Sequence, residues 1–326
     1  MALFRRRRFL ATAAALLAAP GAGRAQEPRV PRRIAILTTG SPKSVSAYIR
    51  AYKDGLRERG HVEGRDIEIE VHYAEGREQA LAPLAAKIAA RKPAVVVAGG
   101  TIAAEATRKA SRDVAVVTLA GDMAGTGLVK NFARPESGIT GVSFQAASLD
   151  PKRLELLAAL LPKGSAVLNL TDSSARAGSH VTLGDMGRAL GLVLHAVEAR
   201  TPEEIDIAFG AARKLAVAGV NVLTSPFLNV HRARIIKLAA AARLPAIYQW
   251  PETAEEGGLL GYGPRIVEIY RQLAGFTSRI LKGAIPAELP VEQPVRYELV
   301  VNMRTARAIG VAMPPSFLLR ADKVIE

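Results

Sequence analysis

The residues with the most chemistry to offer stand where apolar runs of this sequence stop. The run VVVA at 95–98 ends in Gly99, Gly100 and Thr101, and a helical pattern follows. Free backbone N–H groups at such a helix start, with the helix dipole behind them, favour a carboxylate or a phosphate. Other runs end in comparable loops. TTGSPKS offers Thr39 and Ser41, LAGDMAGTG offers Asp122, NLTDSS offers Asp172, Ser173 and Ser174, and TSPFLN offers Ser225 and Asn229. YQWPE adds Tyr248 and Trp250, and LGYGP adds Tyr262 between two glycines. Hydroxyls, one or two acids and aromatic rings around a common space suit a small zwitterion or an aromatic ligand. Each residue also has a plain structural role open to it. Gly-Gly-Thr makes a tight turn with a self-satisfied cap. Asp122 and Asp172 cap turns, and Trp250 packs a core.

Signatures of catalysis are missing. The histidines (His61, His72, His180, His195, His231) show no metal-ligand spacing of the HExxH kind. There is no G-x-S-x-G elbow, no G-x-x-x-x-G-K-[ST] phosphate loop and no G-x-G-x-x-G after the first strand. Cysteine is absent, so thiolate metal sites, disulfides and a cysteine nucleophile are excluded. The expectation is a protein without catalytic residues, metal or cofactor.

Loops of this kind need strands and helices to hold them. Residues 34–38 read as a buried strand, and Val45, Tyr48, Ile49, Tyr52 and Leu56 share one face of the helix that follows. DIEIEVHY alternates apolar and polar residues, as an edge strand with one wet face does. AVVVA and VAVVTLA supply further strands with helices between them. Strands alternating with helices predict right-handed crossovers and a parallel sheet. The pattern then repeats from Asp150 and Pro151, read as the N-cap and first turn of a helix. AVLNL, LVLHAVEA, VNVLTS and PAIYQW are strands, and Thr201-Pro202-Glu203-Glu204 is a capping box. A long helix from Pro264 to Gly283, the strand RYELVVN and a short C-terminal tail complete the chain. Two similar βα halves predict two α/β lobes with parallel sheets. A tail too small for a third domain predicts crossings between them, hence a hinge and a cleft.

The first 25 residues read as an export leader. Arg5 to Arg8 precede an apolar run from Phe9 to Ala19, and Gly23-Arg24-Ala25 suits cleavage after Ala25. RRRRFL fits a twin-arginine signal, and a plain secretion signal fits equally. The apolar run is too short to span a bilayer. Five of the arginines lie in this leader with no acid, so the formal charge of +14 becomes 14 − 5 = +9 after its removal. A basic surface attracts anionic partners; nucleic acid is not expected as the partner of an exported chain.

Several blocks together carry a resemblance. GLRERGHVEGRDIEIE, YAEGR, VAGGT, GLVKNFARPESGITGVSF, KRLELLAALLP, HRARIIKLAAAARLPAIY, GGLLGYGP, ILKGAIPAELPVEQPVRYELVVNMRTARAIGV and PPSFLLRADKVIE run through nearly all of the chain after its leader. In them the chain resembles the ABC transporter substrate-binding proteins related to the tryptophan/tyrosine-binding type. The resemblance implies a type I periplasmic binding fold: two Rossmann-like βα lobes joined by a multi-crossover hinge. It implies a periplasmic receptor, a monomer, that captures a small solute such as an amino acid or small carboxylate and delivers it to an ABC permease without chemistry. It places ligand contacts at Ser41, Gly100, Thr101, Asp122, Asp172, Ser173, Pro226, Trp250 and Tyr262. The expected division is residues 32–144 plus about 251–286 for the N-terminal lobe, and about 145–250 plus 287–326 for the C-terminal lobe. Three departures fall in these blocks. Members often show Asp-Pro at Asp122-Met123, Asn-Pro at Thr171-Asp172, and aspartate at Phe227. Two rival readings stay open: a receptor feeding a membrane sensor, and an exported enzyme on the same scaffold.

Overall fold

A computed structural model describes residues 31–172 and 177–326; the expected leader and Ser173 lie outside these residues. The described chain contains two sheets. The first runs β2-β1-β3-β4-β5 and is parallel throughout: β1 (Arg32–Thr38), β2 (Ile67–Tyr73), β3 (Val95–Gly99), β4 (Ala115–Ala120) and β5 (Ile139–Ser143). Side chains alternate across it, so Ile34 and Ile36 face one way and Ala35 and Leu37 the other. Both sets are buried, because helices cover both faces. On one face lie α1 (Ser46–Arg57) and, from far along the chain, α10 (Ile266–Leu281). On the other lie α2 (Leu81–Ala90) and α3 (Thr101–Ala110). Tyr52 of α1 donates to Thr277 Oγ1 of α10 at 2.9 Å, and the Tyr48 and Tyr270 rings stack with centroids 5.5 Å apart.

The second sheet runs β12-β11-β10-β9-β8-β6-β7. Its strands are β6 (Ala166–Thr171), β7 (Val193–Glu198), β8 (Gly219–Val222), β9 (Ala246–Tyr248), β10 (Leu260–Gly263), β11 (Glu298–Asn302) and β12 (Lys323–Ile325). Only the β10–β11 pair is antiparallel. Helices α4 (Ala146–Ala158), α5 (Ala177–Ala189) and α11 (Met303–Ile309) pack on one face. Helices α6 (Pro202–Lys214) and α8 (Arg232–Ala241) pack on the other. The short α7 (Pro226–Val230), α9 (Pro251–Glu255) and α12 (Pro315–Leu318) fill the loops. In the capping box of α6 the Thr201 hydroxyl accepts from Glu204 N–H at 3.2 Å, while Glu204 accepts from Arg200 N–H, one residue short of the usual return bond.

Two expectations need correction. Helix α4 starts at Ala146, with Gln145 in the left-handed region before it, and Pro151 lies inside the helix. Asp150 is therefore no cap; it is buried and bonded to Arg153 one turn on. The lobe boundary also falls later than residue 251. Leu260–Gly263 pairs with β9 and β11 in the second sheet, and Leu259 and Leu260 sit in its core. The chain leaves for the first lobe at α10. The tail then serves both lobes. Leu289 accepts from the Thr140 hydroxyl at 2.9 Å and Glu292 from Ser143 N–H at 2.9 Å beside β5, before β11 and β12 join the second sheet.

Candidate ligand-binding site

Both sheets change winding direction one strand in from an edge. In the first, β1 lies between β2 and β3; in the second, β6 lies between β7 and β8. Loops leaving the carboxyl ends of the strands at such a point diverge and open a crevice. The two crevices face each other across a cavity of about 460 Å³, the size of a small-molecule site. Thr38, Thr39 and Gly40 after β1 and Gly99, Gly100 and Thr101 after β3 line it from the first lobe. Thr224, Ser225 and Pro226 after β8 line it from the second.

The first-lobe wall is built from backbone. Gly100 takes φ +117°, open to glycine and strained for other residues, and a Cβ there would come within 3.3 Å of Pro226 Cγ on the opposite lobe. No side chain caps α3, so its opening amides are presented to the cavity. Asp122 lines the same wall; its carboxylate accepts from Gly125 N–H at 2.8 Å and its carbonyl accepts from the Thr126 hydroxyl at 2.6 Å. Glu105, one turn along α3 from Thr101, lines it as well.

The second-lobe wall is held by side-chain bonds. Ser225 Oγ caps α7 by accepting from Leu228 N–H at 3.0 Å and donates to the buried Asp172 carboxylate behind it. Gln249 accepts from Ser225 N–H at 3.1 Å and donates to its carbonyl at 3.2 Å. Arg153, 1% exposed, pairs with Asp150, donates to Thr224 Oγ1 at 2.8 Å and to the Tyr262 carbonyl at 3.2 Å. Asp150 and Thr224 reach the cavity, and Arg153 fixes them from behind. Aromatic rings close the remaining sides. Phe144 meets Trp250 edge-on at 5.1 Å, and Tyr48 and Tyr270 line the wall as a stacked pair. Burial raises the Tyr48 and Tyr270 hydroxyls above their ordinary range. Trp250 Nε1 and Asn229 Oδ1 are buried with no hydrogen-bond partner among the described residues.

Of the residues expected from the sequence, Gly100, Thr101, Asp122, Pro226 and Trp250 line this one cavity. Ser41 stands beside it, its hydroxyl and amide engaged with Ser44. Asp172 lies behind Ser225. Tyr262 faces away, into the core of the second lobe, because its strand pairs in register with Leu299 and turns the ring toward Leu260 and Val301. Met123 and Phe227, two of the departures, are core residues and do not reach the cavity. Glu105, Tyr48, Tyr270, Thr224 and Gln249 line it without having been singled out as contacts. Glu105 is one helical turn from Thr101; Tyr48 reads from the sequence as a helix-face apolar position, and Tyr270 lies on the long helix after Pro264. Among the described residues no three or more His, Cys, Asp or Glu side chains group so as to hold a metal ion. Among them no helix is long and apolar enough to cross a membrane.

Known proteins share this fold. The sequence profile of a family described as ABC transporter substrate binding protein matches residues 33–325. A tyrosine-binding protein of Clostridioides difficile is 23% identical over 276 residues, covering 82% of this chain and 77% of the relative. A conserved domain protein from Vibrio cholerae superposes with a TM-score of 0.82 at 22% identity, covering 90% of this chain and 100% of its own. An ABC domain from Streptococcus pneumonia in complex with L-Trp does so with a TM-score of 0.78 at 24% identity, covering 90% and 100%. These likenesses share the two-lobed α/β fold. With the profile matching all but the ends of the sequence, the chain belongs to the ABC transporter substrate-binding protein family.

Proposed function

We propose that this chain is the extracytoplasmic receptor of an ABC importer: a monomer that captures an amino acid or small carboxylate between its lobes and hands it, unchanged, to a membrane permease. The observation that carries this is the cavity at the joint switch point of two sheets, with the opening amides of α3 and the Asp122 carboxylate on one wall. The amides suit a carboxylate and Asp122 suits an ammonium group, the two ends of an amino acid. Relatives named for tyrosine and solved with L-Trp support that ligand class. Micromolar capture needs about −8 kcal/mol net, within reach of a charge pair, several cleft hydrogen bonds and aromatic contact.

A thermal-shift screen with the proteinogenic amino acids and small carboxylates tests the reading. A ligand at 100 times its Kd stabilises the folded state by about 2.7 kcal/mol, so at least one solute raises the melting temperature saturably. Asp122→Ala then lowers affinity for that solute at least about ten-fold, a loss of about 1.4 kcal/mol. Unchanged affinity refutes the amine role. Conversion of the solute on prolonged incubation refutes the receptor.

A further inference from the structure

The cavity wall is unbalanced in charge. Among the described residues its lining includes three acidic residues, Glu105, Asp122 and Asp150, and no lysine, arginine or histidine. Asp150 is matched from behind by Arg153. Arg232, just outside the wall beside Tyr48, is matched by Glu256 at 2.6 and 2.8 Å. Glu105 and Asp122 form no ion pair among the described residues. Both stand on the first-lobe wall, on α3 and on the loop after β4. The chain as a whole carries a formal +14, so this acidic interior runs against its net charge.

Closing two lobes over such a wall takes both carboxylates away from water, which is costly unless cations pair with them. A neutral zwitterion offers one cation. Its carboxylate goes to the amides of α3, its ammonium group satisfies one acid, and the other stays bare. A second cationic group satisfies both. The aromatic lining points the same way: Tyr48, Phe144, Trp250 and Tyr270 line the cavity, and the face of an aromatic ring attracts an organic cation.

Resting on the receptor reading above, we infer that this cavity takes a small ligand of net positive charge, an amino acid with a basic side chain or the corresponding diamine, in preference to a neutral zwitterion of the same size. Glu105 is the residue that sets the preference.

Calorimetric titration of the purified protein, stripped of bound solute, with L-lysine, cadaverine, L-norleucine and L-tryptophan tests this. Norleucine matches lysine without the side-chain ammonium group; cadaverine matches it without the carboxylate. The expected result is binding of lysine or cadaverine at least about ten-fold tighter than norleucine, a difference of about 1.4 kcal/mol. Lysine above cadaverine assigns the amides of α3 to a carboxylate; the reverse order assigns the site to diamines. Glu105→Gln brings lysine and norleucine to similar affinity without lowering the melting temperature of the unliganded protein. Norleucine or tryptophan binding as tightly as lysine, or a Glu105→Gln variant that keeps the full preference, overturns the inference and leaves the receptor reading standing. Binding by none of the four overturns the inference and the amino-compound reading together.

Discussion

Glu252, at the start of α9, is a carboxyl group whose surroundings oppose its charge. One oxygen accepts from Val267 N–H at 3.4 Å and the other is buried with no partner among the described residues. Burial pushes its pKa up from 4.5 to about 7. A raised carboxylate favours folding least when ionised. The penalty is absent below the unfolded value, grows as pH rises between about 4.5 and 7, and is complete above that, on the order of 3 kcal/mol at most. Glu252→Gln keeps an acceptor for Val267 and removes the charge. Its melting temperature should exceed the parent's above about pH 8 and equal it near pH 4.5; equal melting at both ends counts against a buried charge here. Residue-scale chemistry of this kind was hidden in the sequence, because burial is a property of the fold. What was legible was the set of loop residues at strand ends, Gly100, Thr101, Asp122, Pro226 and Trp250, since parallel sheets place those ends together. Tyr262 lies between two glycines and does not line the cavity. Those glycines are places where backbone crosses backbone: a Cβ on Gly261 would come within 2.5 Å of the Trp250 carbonyl and one on Gly263 within 2.2 Å of the Gln249 carbonyl.

At the scale of elements, β5 depends on one position. Gly141 lies mid-strand with φ +140°, and a Cβ there would stand 1.9 Å from the carbonyl oxygen of Thr118 on β4. Gly141→Ala meets both the strained dihedral and the neighbouring backbone. It should cost about 2 kcal/mol or more, read as a lower urea midpoint with unchanged slope. A midpoint equal to the parent's would show that β4 and β5 have room to part. The strand also carries Phe144 to the cavity, so the variant should weaken ligand binding as well. The βα alternation was legible because continuous apolar runs mark buried parallel strands and 3.6-residue periodicity marks their helices. Two features were not. Asp150-Pro151 carries a sound helix-start signal, yet the helix begins at Ala146, and Asp150 pairs with Arg153 inside it. Residues 260–263 are too short a run to announce their sheet; the pairing with β9 and β11 decides it.

For the whole molecule, the connections decide what the lobes can do. The chain passes between them after β5, after β10 and between Glu292 and Glu298. The middle pass is anchored by Arg265, which bonds Glu298 at 2.7 Å and Glu255 at 3.0 Å. Flexing at such strands lets lobes close as bodies, and a ligand drives closure only through contacts it makes in the closed state. The rims already meet. Arg232 of α8 is aligned within its own lobe by Glu256 and the Asn229 carbonyl, and it donates across the cleft to the Ser44 carbonyl at 3.3 Å. Opposing it, Glu78 on the first-lobe rim feels the buried Asp172 of the second lobe; burial first, and then that second charge, raises the Glu78 carboxyl above its ordinary range. Among the described residues, closure therefore sets the Arg232–Ser44 bond against the repulsion between Glu78 and Asp172. Arg232→Met removes the bond and leaves Glu256 where solvent reaches it. One charge-assisted bond of about 1–2 kcal/mol corresponds to a roughly 5- to 30-fold loss of ligand affinity. That loss should fall mainly on the dissociation rate, since the cavity walls are untouched. Glu78→Gln should act in the opposite sense, slowing dissociation more at neutral pH than in acid, where the parent's carboxyl is already protonated. Stopped-flow release of the bound solute measures both. If Arg232→Met released it at the parent's rate, the rim bond would be a passive contact, and closure would rest on the ligand alone.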